Sequence, residues 1–330
     1  MIYLQSHSID PHYNLALEQF VFENLDTTES YIMLWQNSNS IIVGRNQNTG
    51  AEINAAYVAD HAISVVRRLS GGGAVYHDPG NLNFTFITDF GANGIIDFAE
   101  FNDPVREALD SFGVPAELSG RNDMIVEGKK ISGSAQYIRG KRILHHGTLL
   151  YDSDLDALSK ALNVSEDKIK SKGIQSVQSR VTNIRPYMKT DMEMENFRET
   201  LKNYLCDYYS IKEYHLTAAD ETDVNRINEQ KYSQWSWNYG ASPPHNIRKV
   251  RRIPGCGGIE ILLDVAKEGV IQNAAFYGDF FGTENAADLA ELLKGYHLEY
   301  SELKTALQTI DISRYFHALD CGTFLSLLLE

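Results

Sequence analysis

Val65-Val66-Arg67-Arg68-Leu69-Ser70-Gly71-Gly72-Gly73-Ala74-Val75-Tyr76-His77-Asp78-Pro79-Gly80-Asn81-Leu82-Asn83-Phe84-Thr85-Phe86-Ile87 is the stretch whose reading decides the fold. It opens apolar, turns basic at Arg67 and Arg68, and loses its side chains at Gly71, Gly72 and Gly73. From Asn81 to Ile87 polar and apolar residues alternate, the period of a half-buried strand. Three adjacent glycines are costly in any regular element, because each loses much backbone entropy on folding. They fit where bare backbone approaches a ligand or adopts positive φ. Two arginines just before them make that ligand an anion, since N–H groups and guanidinium forks together suit phosphate or carboxylate oxygens. The competing reading is a tight hairpin with surface arginines.

Working outward, the bounds are set by composition. The chain has 330 residues, room for one large domain and a small one. With 43% hydrophobic and 22% charged residues it can bury a substantial core. A net charge of −14 argues against a general nucleic-acid binder and against binding to an anionic membrane. Cys206, Cys256 and Cys321 are few, odd in number and far apart, which suits a reducing cytoplasm rather than a disulfide framework or zinc site. No stretch has the length and apolarity of a membrane span, and the first residues lack the pattern of a signal peptide.

Upstream, Asp10-Pro11 starts a helix whose apolar face is Leu15, Leu17, Phe20, Val21 and Leu25. Tyr31 to Trp35 and Ser40 to Val43 read as strands separated by a polar turn. Gly44 to Asn48 follows, read first as an exposed polar loop; the functional alternative is that Arg45 adds charge at a strand end, where ligand-binding groups often collect. Glu52 to His61 reads as one helix feeding the strand Ile63 to Arg67.

Downstream, a loop rich in Gly, Asn and Asp follows Ile87, and Asp97 to Phe112 is a helix stopped by Gly113-Val114-Pro115. Gly120 to Leu150 reads as an antiparallel meander with turns at Glu127-Gly128 and Arg139-Gly140-Lys141. Alternation sends Lys129 and Lys130 to opposite faces, and a lysine on the ligand face would place a cation near the glycine loop; the competing reading leaves both solvated. Asp123 is either a turn residue or the carboxylate of a magnesium site that accompanies a nucleotide. His145-His146 point opposite ways on a strand, so satisfied or exposed histidines outweigh a metal pair. Asp152 to Leu162 is a helix, Lys168 to Lys172 a basic turn before Gly173 to Val177, and Asn196 to Tyr209 a helix with Phe197, Leu201, Tyr204 and Leu205 inside. Lys231 to Gly240 is aromatic, with Trp235 and Trp237 assigned to packing rather than ligand stacking. Gly240 to Gly258, with Pro243-Pro244 and a basic run, reads as a linker. It leads to strands Ile259–Val265 and Val270–Tyr277 and helices Ala286–Leu293, Ser301–Ile310 and Cys321–Leu329.

There is no Gly-x-x-x-x-Gly-Lys-Ser/Thr, Gly-x-Gly-x-x-Gly turn, His-Glu-x-x-His or Gly-x-Ser-x-Gly, and no cysteine in the Gly/Arg/Lys constellation. An anion-binding centre without a base–nucleophile pair remains. It suits adenylation of a carboxylate, where fixed cations and N–H dipoles bring two anions together and stabilise charge on the α-phosphate and pyrophosphate.

The spaced blocks at 67–78, 80–86, 120–123 (Gly-Arg-Asn-Asp), 130–135 (Lys-Ile-Ser-Gly-Ser-Ala), 145–150 (His-His-Gly-Thr-Leu-Leu) and 179–184 (Ser-Arg-Val-Thr-Asn-Ile) together resemble the lipoate–protein ligases. The resemblance implies a mixed α/β (α+β) catalytic domain like that of biotin ligases, with largely antiparallel sheets, over residues 1–245. A small α+β accessory domain over 246–330 completes it. It implies ATP, Mg2+ and the substrate lipoate, a lipoyl-AMP intermediate, and transfer to a lysine of lipoyl-acceptor domains. Those domains are found in 2-oxoacid dehydrogenase E2 subunits and the glycine cleavage H protein. By motif position Lys130 is the catalytic lysine. Arg68, Ser70, Gly71, Gly72, Gly73, Ala74, Val75, Tyr76, Asn81, Asn122 and Asp123 join it around the nucleotide and adenylate. Arg45, Arg67, His77, Ser134, His146 and Gly147 line the lipoate pocket. The resemblance names no metal ligands. An octanoyl or lipoyl transferase of the same fold, acting without ATP, is the alternative; those that pass through a thioester need a pocket cysteine.

Overall fold

The structure is a computed structural model and describes residues 1–90, 97–120, 122–163, 180–240 and 245–329. Arg121, the basic turn 168–172, the segment 173–177, Ser179 and Pro243-Pro244 lie outside the described residues. The chain forms two compact units. The first comprises 1–43, 50–67 and 74–238; the second gathers 239–330 with two short loops from the amino-terminal half, 44–49 and 68–73.

In the first unit the strands are β1 (Ile2–Gln5), β2 (Tyr31–Trp35), β3 (Ser40–Val43), β4 (Ser64–Arg67), β5 (Val75–His77), β6 (Asn81–Asp89), β7 (Glu117–Ser119), β8 (Asp123–Val126), β9 (Lys129–Arg139), β10 (Arg142–Leu150) and β11 (Lys212–Glu213). Eight form one sheet in the order β11-β1-β2-β6-β10-β9-β8-β7, and β4-β3-β5 form a second. The large sheet is parallel at β11-β1-β2 and antiparallel from β2 onward, so the expected mixed fold with a meander is present.

Alternation gives the large sheet two faces. Leu82, Phe84, Phe86, Ile143 and Leu149 form one core with helices Ala99–Ser111 and Met194–Tyr209, through Val105, Leu109, Phe197, Leu201 and Leu205. Tyr31, Met33, Trp35, Ile87 and Leu144 face the other way, onto helix Pro11–Glu23 and onto Ile42 and Val66 of the small sheet. Asp10 caps that helix by accepting from the His12 N–H at 3.0 Å, with Pro11 in the first turn, a cap worth about 1 kcal/mol.

The expected single helix from Glu52 to His61 is two short ones, Thr49–Glu52 and Ala55–Asp60, because Ile53 bridges to Leu162 between them. In the second unit β12 (Ile247–Ile253), β13 (Gly257–Val265) and β14 (Ile271–Gly278) form an antiparallel sheet. Helices Ala286–Leu292, Tyr300–Leu307 and Cys321–Leu329 share its core. The expected linker is therefore corrected: residues 247–253 are an edge strand. Ile247 and Ile253 meet the core, while Lys249 reaches past it to donate to the Leu328 carbonyl at 2.6 Å. Three or more cations on an outer strand also protect its unpaired edge from other chains.

Candidate active site

Lys130 sits where a β-bulge interrupts the β8–β9 ladder: Met124 pairs with Ser132, but Ile125 pairs with Lys130. The extra residue reverses the alternation. Ile131 joins the helix-side core, and Lys130 turns to the face that carries Gly133, Ala135 and Tyr137. Its main chain is held from the other side as well, its N–H donating to the Arg180 carbonyl at 2.7 Å and its carbonyl accepting from Thr182 at 2.9 Å. The ammonium lies 2.7 Å from Asp123 Oδ1, both side chains about a third exposed at 36% and 37%. A Cβ at Gly133 would stand 2.5 Å from Lys130 Nζ, so the missing side chain is what gives the ammonium its seat. Lys129 is exposed, whereas Lys130 is half-buried.

The same face continues across β10, β6 and β2 as a buried polar strip. His146 Nδ1 is 2.9 Å from Glu18 Oε1, Thr85 donates to that oxygen at 2.8 Å, and the Trp35 indole N–H donates to Thr85 at 2.9 Å. Glu18 is 1% exposed, a carboxylate removed from water and therefore dependent on these donors. Asn81 and Asn83 lie beside each other on β6, joined at 3.0 Å, with one amide atom of each buried and without a partner among the described residues. His77 meets Asn37 at 3.1 Å, with its ring 6.2 Å from that of Trp35. Burial pushes the Tyr76 hydroxyl up to about 12.

Ser134 lies on the opposite face. Its hydroxyl donates to Asn102 Oδ1 at 2.8 Å on helix Ala99–Ser111, and the same oxygen meets His145 Nε2 at 3.1 Å. His145 is fully buried, stacked at 4.9 Å on Phe101, with Nδ1 on Gln136 at 2.9 Å, and desolvation holds its pKa well below the usual 6.5. It is a satisfied core histidine. Among the described residues no group of three His, Cys, Asp or Glu could hold a metal ion. Asn122 exchanges two hydrogen bonds with the Ser134 backbone, at 2.7 and 2.8 Å, and so anchors the turn before Asp123. Gly147 pairs with Ser134 and lies against the Phe84 ring, on the helix side of the sheet. Ser134 and His146, both expected in one pocket, thus present their side chains to different faces.

The glycine loop belongs to the second unit. Arg68 is buried inside it, donating to Ser70 Oγ at 2.9 Å and to the carbonyls of Gly71 and Gly73 at 2.6 and 2.9 Å. Arg68 thereby ties two of the loop's carbonyls inward, and the Gly72 N–H donates to the Phe280 carbonyl at 3.5 Å. Gly71 cannot carry a side chain, since its Cβ would lie 2.4 Å from the Phe280 carbonyl; at Gly73 a Cβ would meet nothing within 4 Å. The Arg45 N–H donates to the Ser70 carbonyl at 2.9 Å, which links the Gly44–Asn48 loop to this one. Arg67, by contrast, ends β4 in the first unit, and its guanidinium donates to the carbonyls of Trp237 and Asn238.

Sequence reasoning missed Glu18, Thr85, Trp35, Asn83 and Asn102. Glu18 had one visible signal: a carboxylate set among Leu15, Leu17 and Val21 in an otherwise apolar helix.

Residues 10–206 match the family model described as lipoyl protein ligase A/B catalytic domain, and 242–328 the one described as bacterial lipoate protein ligase C-terminus. The chain is 43% identical to the lipoate-protein ligase LplJ of Bacillus subtilis, covering 99% of this chain and 100% of that one. It is also 43% identical to lipoate–protein ligase 1 of Staphylococcus aureus, covering 97% of each. Among solved structures, Plasmodium falciparum LipL1 in complex with lipoate is 24% identical and superposes with a TM-score of 0.80 over 100% of this chain and 98% of that one, a likeness of fold. A lipoate-protein ligase A bound with ATP gives a TM-score of 0.60 at 25% identity over 72% of this chain and 97% of that one.

Proposed function

The chain belongs to the lipoate–protein ligase family, and on that premise we propose that it joins lipoate to ATP and delivers the lipoyl group to acceptor proteins in two steps. In the first, a lipoate carboxylate oxygen attacks the α-phosphorus of ATP, forming the acyl–phosphate bond of lipoyl-AMP as the bond to pyrophosphate breaks. In the second, an acceptor lysine amine attacks the acyl carbon, forming an amide and releasing AMP and a proton. Both steps involve charge that the protein must hold rather than covalent work by its side chains.

Lys130 carries this reading. Its ammonium stands on the polar face of the sheet, fixed through backbone on both sides and seated by Gly133. We assign it to the carboxylate and α-phosphate oxygens, where its charge offsets their repulsion and the charge that builds as pyrophosphate leaves. The loop Arg68–Gly73 with Ala74 to Tyr76, and Asn81, Asn122 and Asp123, are assigned to the nucleotide and adenylate. Arg45, His77, His146 and Gly147 are assigned to the lipoate pocket, with Ser134 acting through its backbone. Asp123 is the carboxylate beside Lys130, and a single carboxylate plus phosphate oxygens is a usual way to hold Mg2+. That ion supplies further charge neutralisation when bound with the nucleotide.

The acceptors we propose are lipoyl domains of 2-oxoacid dehydrogenase E2 subunits and the glycine cleavage H protein. An archaeal bipartite lipoate protein ligase from Thermoplasma acidophilum, studied with its E2 lipoyl domain, is 27% identical and has a TM-score of 0.64. Among the described residues no helix is long and apolar enough to cross a membrane, and we place the reaction in the cytoplasm, where such acceptors work. Incubation with ATP, magnesium and lipoate is expected to yield a lipoyl-AMP mass and stoichiometric pyrophosphate. Lipoylation of an acceptor domain without ATP consumption would instead make the chain a transferase.

A further inference from the structure

Arg67 reads from the sequence as a ligand-facing cation, yet every hydrogen bond described for it runs to residues some 170 positions away in the chain. The cause lies in the small sheet. Its order is β4-β3-β5, so β4 is an edge strand and its outer backbone groups have no strand to pair with. At Arg67 two side chains do that work. Asn238 Oδ1 accepts the Arg67 N–H at 3.0 Å, and the Trp237 indole N–H donates to the Arg67 carbonyl at 2.8 Å. The guanidinium returns the exchange, Nε donating to the Trp237 carbonyl at 2.9 Å and Nη2 to the Asn238 carbonyl at 3.2 Å.

The partner segment, helix Trp235–Asn238, is itself tied down. Asn238 donates to the Tyr232 carbonyl at 2.6 Å, and the Lys231 ammonium lies 4.1 Å above the Trp237 ring while donating to Gln19 on helix Pro11–Glu23 at 2.9 Å. Arg67 and Asn238 are 7% and 4% exposed, so a polar group deprived of its partner here is left without water.

Arg67 is the last residue of the first unit before the glycine loop, and Asn238 the last before the carboxy-terminal residues. We infer that Arg67, Trp237 and Asn238 form a clasp that fixes the root of the loop Arg68–Gly73. In this role they are positioning residues for the nucleotide rather than walls of the acid pocket. The inference rests on the adenylation reading above. The two adjacent arginines divide the work: Arg67 ties the strand end to Trp237 and Asn238, and Arg68 ties the carbonyls of Gly71 and Gly73.

The test compares Asn238→Ala, Asn238→Asp and Trp237→Phe with the unaltered protein in two assays. In lipoyl-AMP formation Asn238→Ala is expected to raise the KM for ATP about tenfold, the loss of roughly one to two buried hydrogen bonds, with the KM for lipoate and transfer from premade lipoyl-AMP changed less than about threefold. Asn238→Asp keeps an acceptor for the Arg67 N–H but loses the donor to the Tyr232 carbonyl, so it is expected to recover only part of that loss. In limited trypsin digestion read by mass, Asn238→Ala is expected to speed cleavage after Arg67 and Arg68. This second assay needs no activity, so it judges the clasp even if the chain makes no lipoyl-AMP. If Asn238→Ala does not fold, Trp237→Phe, which removes one hydrogen bond and keeps a ring, is held to the same two criteria. A folded variant with unchanged ATP KM and unchanged cleavage overturns the inference, as does an equal loss for ATP, lipoate and transfer.

Discussion

Gly133→Ala is the sharpest probe of the site because it deletes no proposed ligand group and displaces one, the Lys130 ammonium. The new methyl carbon would stand 2.5 Å from Lys130 Nζ and 2.8 Å from Cε, whereas ordinary contact begins at 3.4 Å, so the ammonium must retreat by about 0.9 Å. The atoms it meets belong to the far end of a flexible chain, and Gly133 is not among the residues with positive φ, so the strand itself need not yield. A misplacement of about 1 Å in a reacting constellation costs on the order of 100-fold, about 2.7 kcal/mol. Replacing glycine by alanine at a compatible backbone position is expected to leave stability unchanged or raise it by about 0.4–1 kcal/mol. The measurement is lipoyl-AMP formation by pyrophosphate release, paired with thermal unfolding of the same preparation. A folded variant whose rate stays within about threefold of the parent would refute the claim that the ammonium's seat matters. A large fall in melting temperature would refute the steric account in another way, by showing that the backbone had moved.

Three further outcomes follow from the geometry. Lys130→Ala should abolish lipoyl-AMP formation while unfolding as the parent does, since its pairing with Asp123 is about a third exposed to water and such pairs are worth about 0–1 kcal/mol; normal adenylation would remove Lys130 from its role. Gly71→Ala should disorder the glycine loop by driving a methyl into the Phe280 carbonyl, whereas Gly73→Ala, with open space around it, should cost stability nothing. Any large rise in the KM for ATP in Gly73→Ala would then report close approach of the nucleotide, and equal destabilisation of the two variants in thermal melts would contradict the steric difference. His145, held neutral by burial, binds its proton in the unfolded chain near 6.5 but in the folded chain only well below that. Protons therefore favour the unfolded state through that window, so stability falls as pH drops below 6.5, by up to about 1.4 kcal/mol per pH unit. His145→Gln should show a flatter acid limb in denaturant titrations; parallel curves would sink the assignment.

How much of this was legible in the chain differs by element. Strong periodicity and turn chemistry located helix Pro11–Glu23, the meander and the three carboxy-terminal helices within a few residues. Residues 247–253 were misread because the alternation Ile-Arg-Lys-Val-Arg-Arg-Ile has cations where a central strand would have apolar residues, the signature of an edge. Trp235 and Trp237 look alike in sequence, yet Trp235 is 66% exposed while Trp237 joins the core beside Tyr232. Lys130 was one of two lysines until the bulge fixed the register, and a bulge leaves no mark in composition. The arginines were read by charge alone. Their acceptors are backbone carbonyls, which every residue owns and no sequence pattern advertises.

The second unit is stitched from three separate lengths of polypeptide, not cut from one end. Residues 239–330 expressed alone would therefore be a torso lacking two turns that complete its surface, with Phe280 and Gly278 deprived of the backbone groups they meet at 72 and 46.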